Sequence, residues 1–154
     1  MYITYTETPV GTLKIVSDGK RITEISPSER RCDDAPDSLC GSAAAELREY
    51  FSGKRTEFSF PIDPVGTDFR KRVWRELVKI PYGETRTYGQ IAAAAGDPRA
   101  SRAVGGAVGA NPVLIAIPCH RVVAKGGIGG FSCGLWRKKI LFETEGIMLP
   151  DIDK

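Results

Sequence analysis

The chain has 154 residues, 42% of them hydrophobic and 27% charged, with a formal net charge of +3. This balance suits one compact unit or two small subdomains sharing a core and carries no pressure toward disorder. Its longest apolar runs, such as residues 113–117, are too short to cross a bilayer, and no basic-then-apolar leader opens the chain, so a cytoplasmic protein (nuclear in a eukaryote) is expected.

The first residues read as three short strands, YITYT, TLKIV and RITEIS, separated by the turn-forming PVG and SDGK. A polar loop, RRCDDAPDSLCGS, follows; its Cys32 and Cys40 could close a local disulfide. The stretch AAAELREYF, entered through Ser42, places Ala43, Leu47, Tyr50 and Phe51 on one helical stripe, with Gly53 as its stop. A further short strand, EFSFPI, leads to the connector PIDPVGT. Residues 1–64 are thus expected to form a small α+β subdomain, and with no cluster of reactive side chains its default role is scaffold.

Residues 65–154 change character and read as a mostly helical domain. TDFRKRVWRELVKI sets apolar residues at 69, 73, 77 and 80, the spacing of a buried helix face. In TYGQIAAAAG, Thr87 and Gln90 have the spacing of a capping box and Gly96 closes the helix. Asp97 is then expected to cap a helix with Pro98 at its first position, PRASRAVGGAVGA, stopped by Asn111-Pro112. Two short helices joined by a tight turn predict a helix-turn-helix, although many helical hairpins bind nothing.

The second of these helices adds a stronger signal. Ala100, Ala103, Val104, Ala107 and Val108 gather on one side, and Arg102, Gly105, Gly106 and Gly109 on the other. Each helical glycine costs about 1 kcal/mol relative to alanine. Close backbone approach explains that cost, whether to an outside surface or to the protein's own neighbouring segments. Charge favours the outside surface: residues 1–66 carry 8 basic and 11 acidic side chains, whereas residues 67–154 carry 14 and 8. A net of +6 suits a polyanion such as nucleic acid.

VLIAI reads as a buried strand ended by Pro118, which leaves Cys119 and His120, the only histidine, where strand meets loop. A free thiol ionises near ~8.5 and needs a base to become a nucleophile at neutral pH. The adjoining imidazole can be that base if a carboxylate holds it, and Glu143 and Glu145 are the candidates. The plainer reading is a buried structural cysteine beside a satisfied histidine. With one histidine and no CxxC pair, the chain predicts no metal site.

The run RASRAVGGAVGANPVLIAIPCHRVV followed by GGIGGFSCG resembles the O6-alkylguanine-DNA alkyltransferases, whose active-site signature is PCHRV. The likeness is continuous from about IPYGETRTYGQIA to LFETEG and includes the preceding helix with its VW pair. It implies that Cys119 accepts the alkyl group, that His120 draws off its proton through a water, and that Glu145 orients the imidazole. By the same likeness Asn111 braces the turn around the site and Arg102 fills the space of an extruded nucleotide. Tyr88 would contact the flipped base and donate a proton as guanine leaves, with Val122 and the Ser132 loop completing the substrate site. DNA contacts would come from Ala103, Gly105, Gly106, Gly109, Arg70 and Lys125.

The resemblance further implies direct repair of O6-alkylguanine, with O4-alkylthymine as a further substrate, in one turnover, without cofactor. The partner would be double-stranded DNA, bound from the minor groove with little sequence preference, by a monomer whose cooperativity on DNA is left open. Cys133 stands inside the substrate loop, where another small residue is expected; it is read as filling space rather than as a crosslinking partner of Cys119. Competing readings are a lesion binder that repairs nothing, a transcription regulator using only the helix-turn-helix, and a Cys-His hydrolase. Cys119 argues against the first of these.

Overall fold

The computed structural model describes residues 1–29 and 34–148. The fold is α+β, with a small antiparallel sheet and five α-helices among the described residues. These residues fall into two compact units. One comprises residues 1–65 with 112–116, the other residues 66–111 with 117 onward. Residues 112–116, expected in the second domain, therefore pack with the first.

In the first unit, β1 (Tyr2–Thr8), β2 (Gly11–Ser17) and β3 (Ile22–Pro27) form an antiparallel meander in the order β1-β2-β3. Pairing runs from Tyr2 opposite Ser17 to Thr8 opposite Gly11, and a bulge at Val16/Ser17 offsets β3. Alternation buries Leu13 and Ile15 from β2, with Ile22 and Ile25 from β3. Helix α1 (Ser38–Phe51) starts five residues earlier than Ser42 would set it, because the Asp37 carboxylate accepts from the Cys40 amide and from Ser17 Oγ. Its buried stripe is Cys40, Ala43, Ala44, Glu46, Leu47 and Tyr50; Phe51 is only partly covered. Cys32, one half of the suggested disulfide, lies outside the described residues.

Two expected strands of this unit are not strands. EFSFPI is irregular and meets β3 through a single bridge, Ile22 to Ile62. Pro61 has no amide to donate, so only its carbonyl, taken by Ile22 N, joins that pairing. VLIAI contributes one parallel bridge, Val113 to Ile25, and then turns. Ala116 N bonds back to Leu114 O, and Ile115 takes φ of 72°, a left-handed backbone that β-branched residues rarely adopt. The run is apolar because it is buried, not because it is extended.

In the second unit, α2 (Asp68–Val78) is capped by Thr67 and buries Val73, Trp74 and Leu77, followed by Ile80. Trp74 Nε1 donates to Ala107 O, which fixes α2 against α4 (Ser101–Gly109). Helix α3 (Tyr88–Ala94) opens with both bonds of the Thr87–Gln90 capping box, and Gly96 takes φ of 101° after its end. The turn into α4 differs from expectation. Asp97 closes a local turn, accepting Arg99 N on its carboxylate and Ala100 N on its carbonyl, so the helix begins at Ser101 and not at Pro98. A short parallel pair, β4 (Arg86–Thr87) with β5 (Val122–Val123), joins the entrance of α3 to the segment after Cys119. Helix α5 (Leu135–Glu145) ends at Gly146, φ 70°. Among the described residues no helix is long and apolar enough to cross a membrane.

Candidate active site

Both ends of the excursion at residues 112–116 belong to the second unit, and Asn111 ties them together: its Nδ2 donates to Ile117 O at 2.7 Å. The chain then makes one 3-10 turn, Cys119–Arg121, in which Arg121 N bonds to Pro118 O. All three side chains of that turn are buried.

Glu145 is the hub. Its Oε2 lies 2.6 Å from His120 Nε2, and Arg121 grips both oxygens, Nε to Oε1 at 2.8 Å and Nη2 to Oε2 at 3.0 Å. The Gly83 amide adds a fourth bond, to Oε1 at 3.0 Å. Arg121 is itself anchored by Nη1 donating to Ile80 O. A buried carboxylate satisfied on every side stays ionised and fixes the ring beside it. The other candidate, Glu143, is exposed.

Burial pushes the His120 pKa below its ordinary value, against the opposing pull of Glu145. The ring is therefore neutral at pH 7. A neutral ring donating Nε2–H to Glu145 presents Nδ1 as an unprotonated acceptor, and Nδ1 has no hydrogen-bond partner among the described residues. It is the atom equipped to take a proton.

Burial also pushes the Cys119 thiol up to about 12, and the nearby Asn111 side chain and Lys138 ammonium act in the opposite direction. Lys138 is fully buried, its Nζ donating to Val122 O at 2.7 Å and Gly130 O at 2.9 Å, and burial lowers its pKa to about 8. The glycine loop after Val123 is thus pinned at Gly130. Its neighbour Gly129, φ 76°, lies so close to Tyr88 that a Cβ there would meet the ring at 3.3 Å and Ala124 N at 2.9 Å. Tyr88 is half-buried, and burial raises its pKa.

Cys119, His120, Glu145 and Asn111 meet in this centre, and Tyr88 stands against its loop. Val122 is fully buried, with its carbonyl taken by Lys138. Ser132 is exposed and its Oγ donates to Gly109 O at 3.1 Å. Arg102, Ala103, Arg70 and Lys125 are exposed. Ala103 leaves the apolar stripe on which periodicity set it; only Val104, Ala107 and Val108 of α4 are buried. A Cβ added at Gly105 or Gly106 would meet no atom within 4 Å, so neither glycine is there to let the protein's own chain approach. Cys119 and Cys133 are both free thiols.

Three residues of this centre escaped the sequence reading. Arg121 was in plain view as the R of PCHR. Lys138 sits on one helical face with Leu141, Phe142 and Glu145, an i, i+3, i+4, i+7 spacing that a charged residue masks. Gly83 acts through its amide, which no side-chain pattern reveals.

Two family models divide the chain: 6-O-methylguanine DNA methyltransferase, ribonuclease-like domain, over residues 1–64, and 6-O-methylguanine DNA methyltransferase, DNA binding domain, over residues 68–147. A methylated-DNA–protein-cysteine methyltransferase of Mycobacterium bovis is 42% identical over 152 residues, covering 94% of this chain and 92% of the relative. The namesake from Haemophilus influenzae is 41% identical and covers 100% and 90%. The structure of Mycobacterium tuberculosis OGT in complex with DNA superposes with a TM-score of 0.86 at 40% identity, covering 95% of this chain and 93% of that one.

Proposed function

The chain belongs to the 6-O-methylguanine DNA methyltransferase family, enzymes of DNA repair, and on that premise we propose that it moves an alkyl group from O6 of guanine in duplex DNA onto Cys119 Sγ, once per molecule. The observation that carries this reading is the buried Glu145–His120 hydrogen bond next to Cys119 in the chain, with ring nitrogen Nδ1 without a hydrogen-bond partner among the described residues.

The steps follow from the groups present. The Cys119 proton passes through a water to His120 Nδ1, and the imidazolium so formed is stabilised by Glu145. The thiolate attacks the alkyl carbon, the carbon–O6 bond breaks with its electrons going to guanine, and the departing base takes a proton from the Tyr88 hydroxyl. Burial holds the thiol protonated, and Lys138 and the Asn111 amide act against it, easing the loss of the proton to His120. The product is a thioether, which water does not cleave, so the protein is consumed.

A base inside a duplex is out of reach of a buried thiol, so it must be extruded at a cost of a few kcal/mol. Helix α4, bare of side chains at Gly105 and Gly106, suits the narrow minor groove, with Arg102 taking the vacated space. The basic second half of the chain supplies phosphate contacts and hence affinity with little sequence preference.

The test is intact mass after incubation with a duplex containing O6-methylguanine. One added methyl per molecule, never more, and none on Cys119→Ala, is expected. Multiple turnovers would indicate a hydrolase, and duplex binding with no adduct a lesion binder. Arg102→Ala should impair repair of duplex DNA far more than reaction with free O6-benzylguanine; equal losses would make the arginine structural.

A further inference from the structure

We infer that Trp136 and Arg137, in the first turn of α5, form a stacking platform for the sugar-phosphate backbone of the DNA strand that carries the extruded nucleotide. The inference rests on the DNA reading above and adds a contact surface outside the helix-turn-helix.

The chain has two tryptophans with opposite settings. Trp74 is 2% exposed and hydrogen-bonded through its indole to Ala107 O; Trp136 is 50% exposed. The exposed indole is not loose. The Arg137 guanidinium lies 4.4 Å over its ring, and Arg137 Nη1 donates to Cys133 O. The other support is Gly134, φ 102°, where a Cβ would come within 3.1 Å of indole Cδ1 and Nε1. The glycine therefore admits the ring against the backbone of the loop.

That loop connects the platform to the proposed DNA-binding helix. Ser132, two residues before Gly134, donates to Gly109 O at the end of α4. Charge identifies the occupant. Residues 131–142 hold no acid; Lys138 is turned inside, and Lys139 is exposed on the same turn as Trp136. An ordered indole–guanidinium stack with the Lys139 cation at its rim fits an aromatic-tolerant, phosphate-bearing polymer. An apolar protein partner would not call for that rim.

The test uses the full chain carrying Cys119→Ser, bound to a duplex with O6-methylguanine, followed by anisotropy and by acrylamide quenching of tryptophan. Because Trp74 is buried, quenching in the free protein reports Trp136. Binding is expected to protect that emission, and Trp136→Ala to weaken duplex affinity about tenfold, with Trp136→Phe restoring most of it. Arg137→Ala should reduce the slope of log affinity against log salt by about one phosphate contact. Intact binding with Trp136 as open to acrylamide as before overturns the platform alone, as does Trp136→Ala binding at parent affinity. Protection that rises with protein concentration without DNA would assign the surface to self-association and overturn the proposal. Failure of the parent protein to bind any duplex overturns the DNA reading and the platform together.

Discussion

Among the described residues, each unit buries one cysteine at a helical turn. Cys40, in α1, is fully buried and its thiol is pushed up to about 11; Cys119 is 2% exposed and pushed up to about 12. By exposure and by the direction in which burial moves the thiol, the two are alike. Their neighbours differ. Cys40 Sγ faces backbone carbonyls, Tyr2 O at 3.6 Å and Ile15 O at 3.9 Å, and the Asp37 carboxylate raises its pKa further. Cys119 has an amide and an ammonium acting to ionise it, with Cys133 acting against them, and a neutral imidazole as its chain neighbour. A nucleophile is defined by what can take its proton and hold its charge, and burial supplies neither.

The largest break in that comparison should come from exchanging the two thiols for alanine. Cys119→Ala is expected to abolish transfer outright, whereas Cys40→Ala should keep stoichiometric transfer and lose roughly 1–2 kcal/mol of stability from its core position. Next in size is Glu145→Ala, which strands the Arg121 charge in the interior. Urea unfolding should show a loss of roughly 3–5 kcal/mol along with the loss of transfer. The corresponding buried carboxylate of the first unit, Glu46, bonds Ser59 N and Oγ and a partly exposed Arg55, so Glu46→Ala should be milder and leave the acceptor chemistry in place.

Much of this centre was legible in the sequence, for definite reasons. The Cys119-His120 pair and the Thr87–Gln90 cap depend on neighbours one to three residues apart, and local chemistry decides them. Glu145 was readable only through family likeness, since spacing left Glu143 equally eligible. VLIAI misled because an apolar run reports burial and says nothing of the turn at Ile115. Asp97 misled because the same carboxylate that caps a helix also closes a turn ahead of one. The β4–β5 pair, two residues on each side, is too short to leave a periodic trace.

Smaller effects sharpen the picture at α4. Gly105→Ala has open space for its methyl group, so the fold should gain up to about 1 kcal/mol while duplex affinity falls, as measured by melting and by anisotropy. A stabilised variant with unchanged affinity would remove the close-approach argument. The pH profile should move least. Because burial favours the neutral form of His120, its folded pKa lies below the ordinary 6.5, and the transfer rate should hold as pH falls through that value and drop only below it. A fall centred at or above 6.5 would place the titrating base elsewhere.

The most direct measurement is peptide-level localisation of the transferred methyl group after complete reaction with O6-methylguanine duplex. The two-cysteine comparison predicts the label on the peptide containing Cys119 alone, at one equivalent. Label on the peptides of Cys40 or Cys133, or none on any of them while the duplex is repaired, would contradict it.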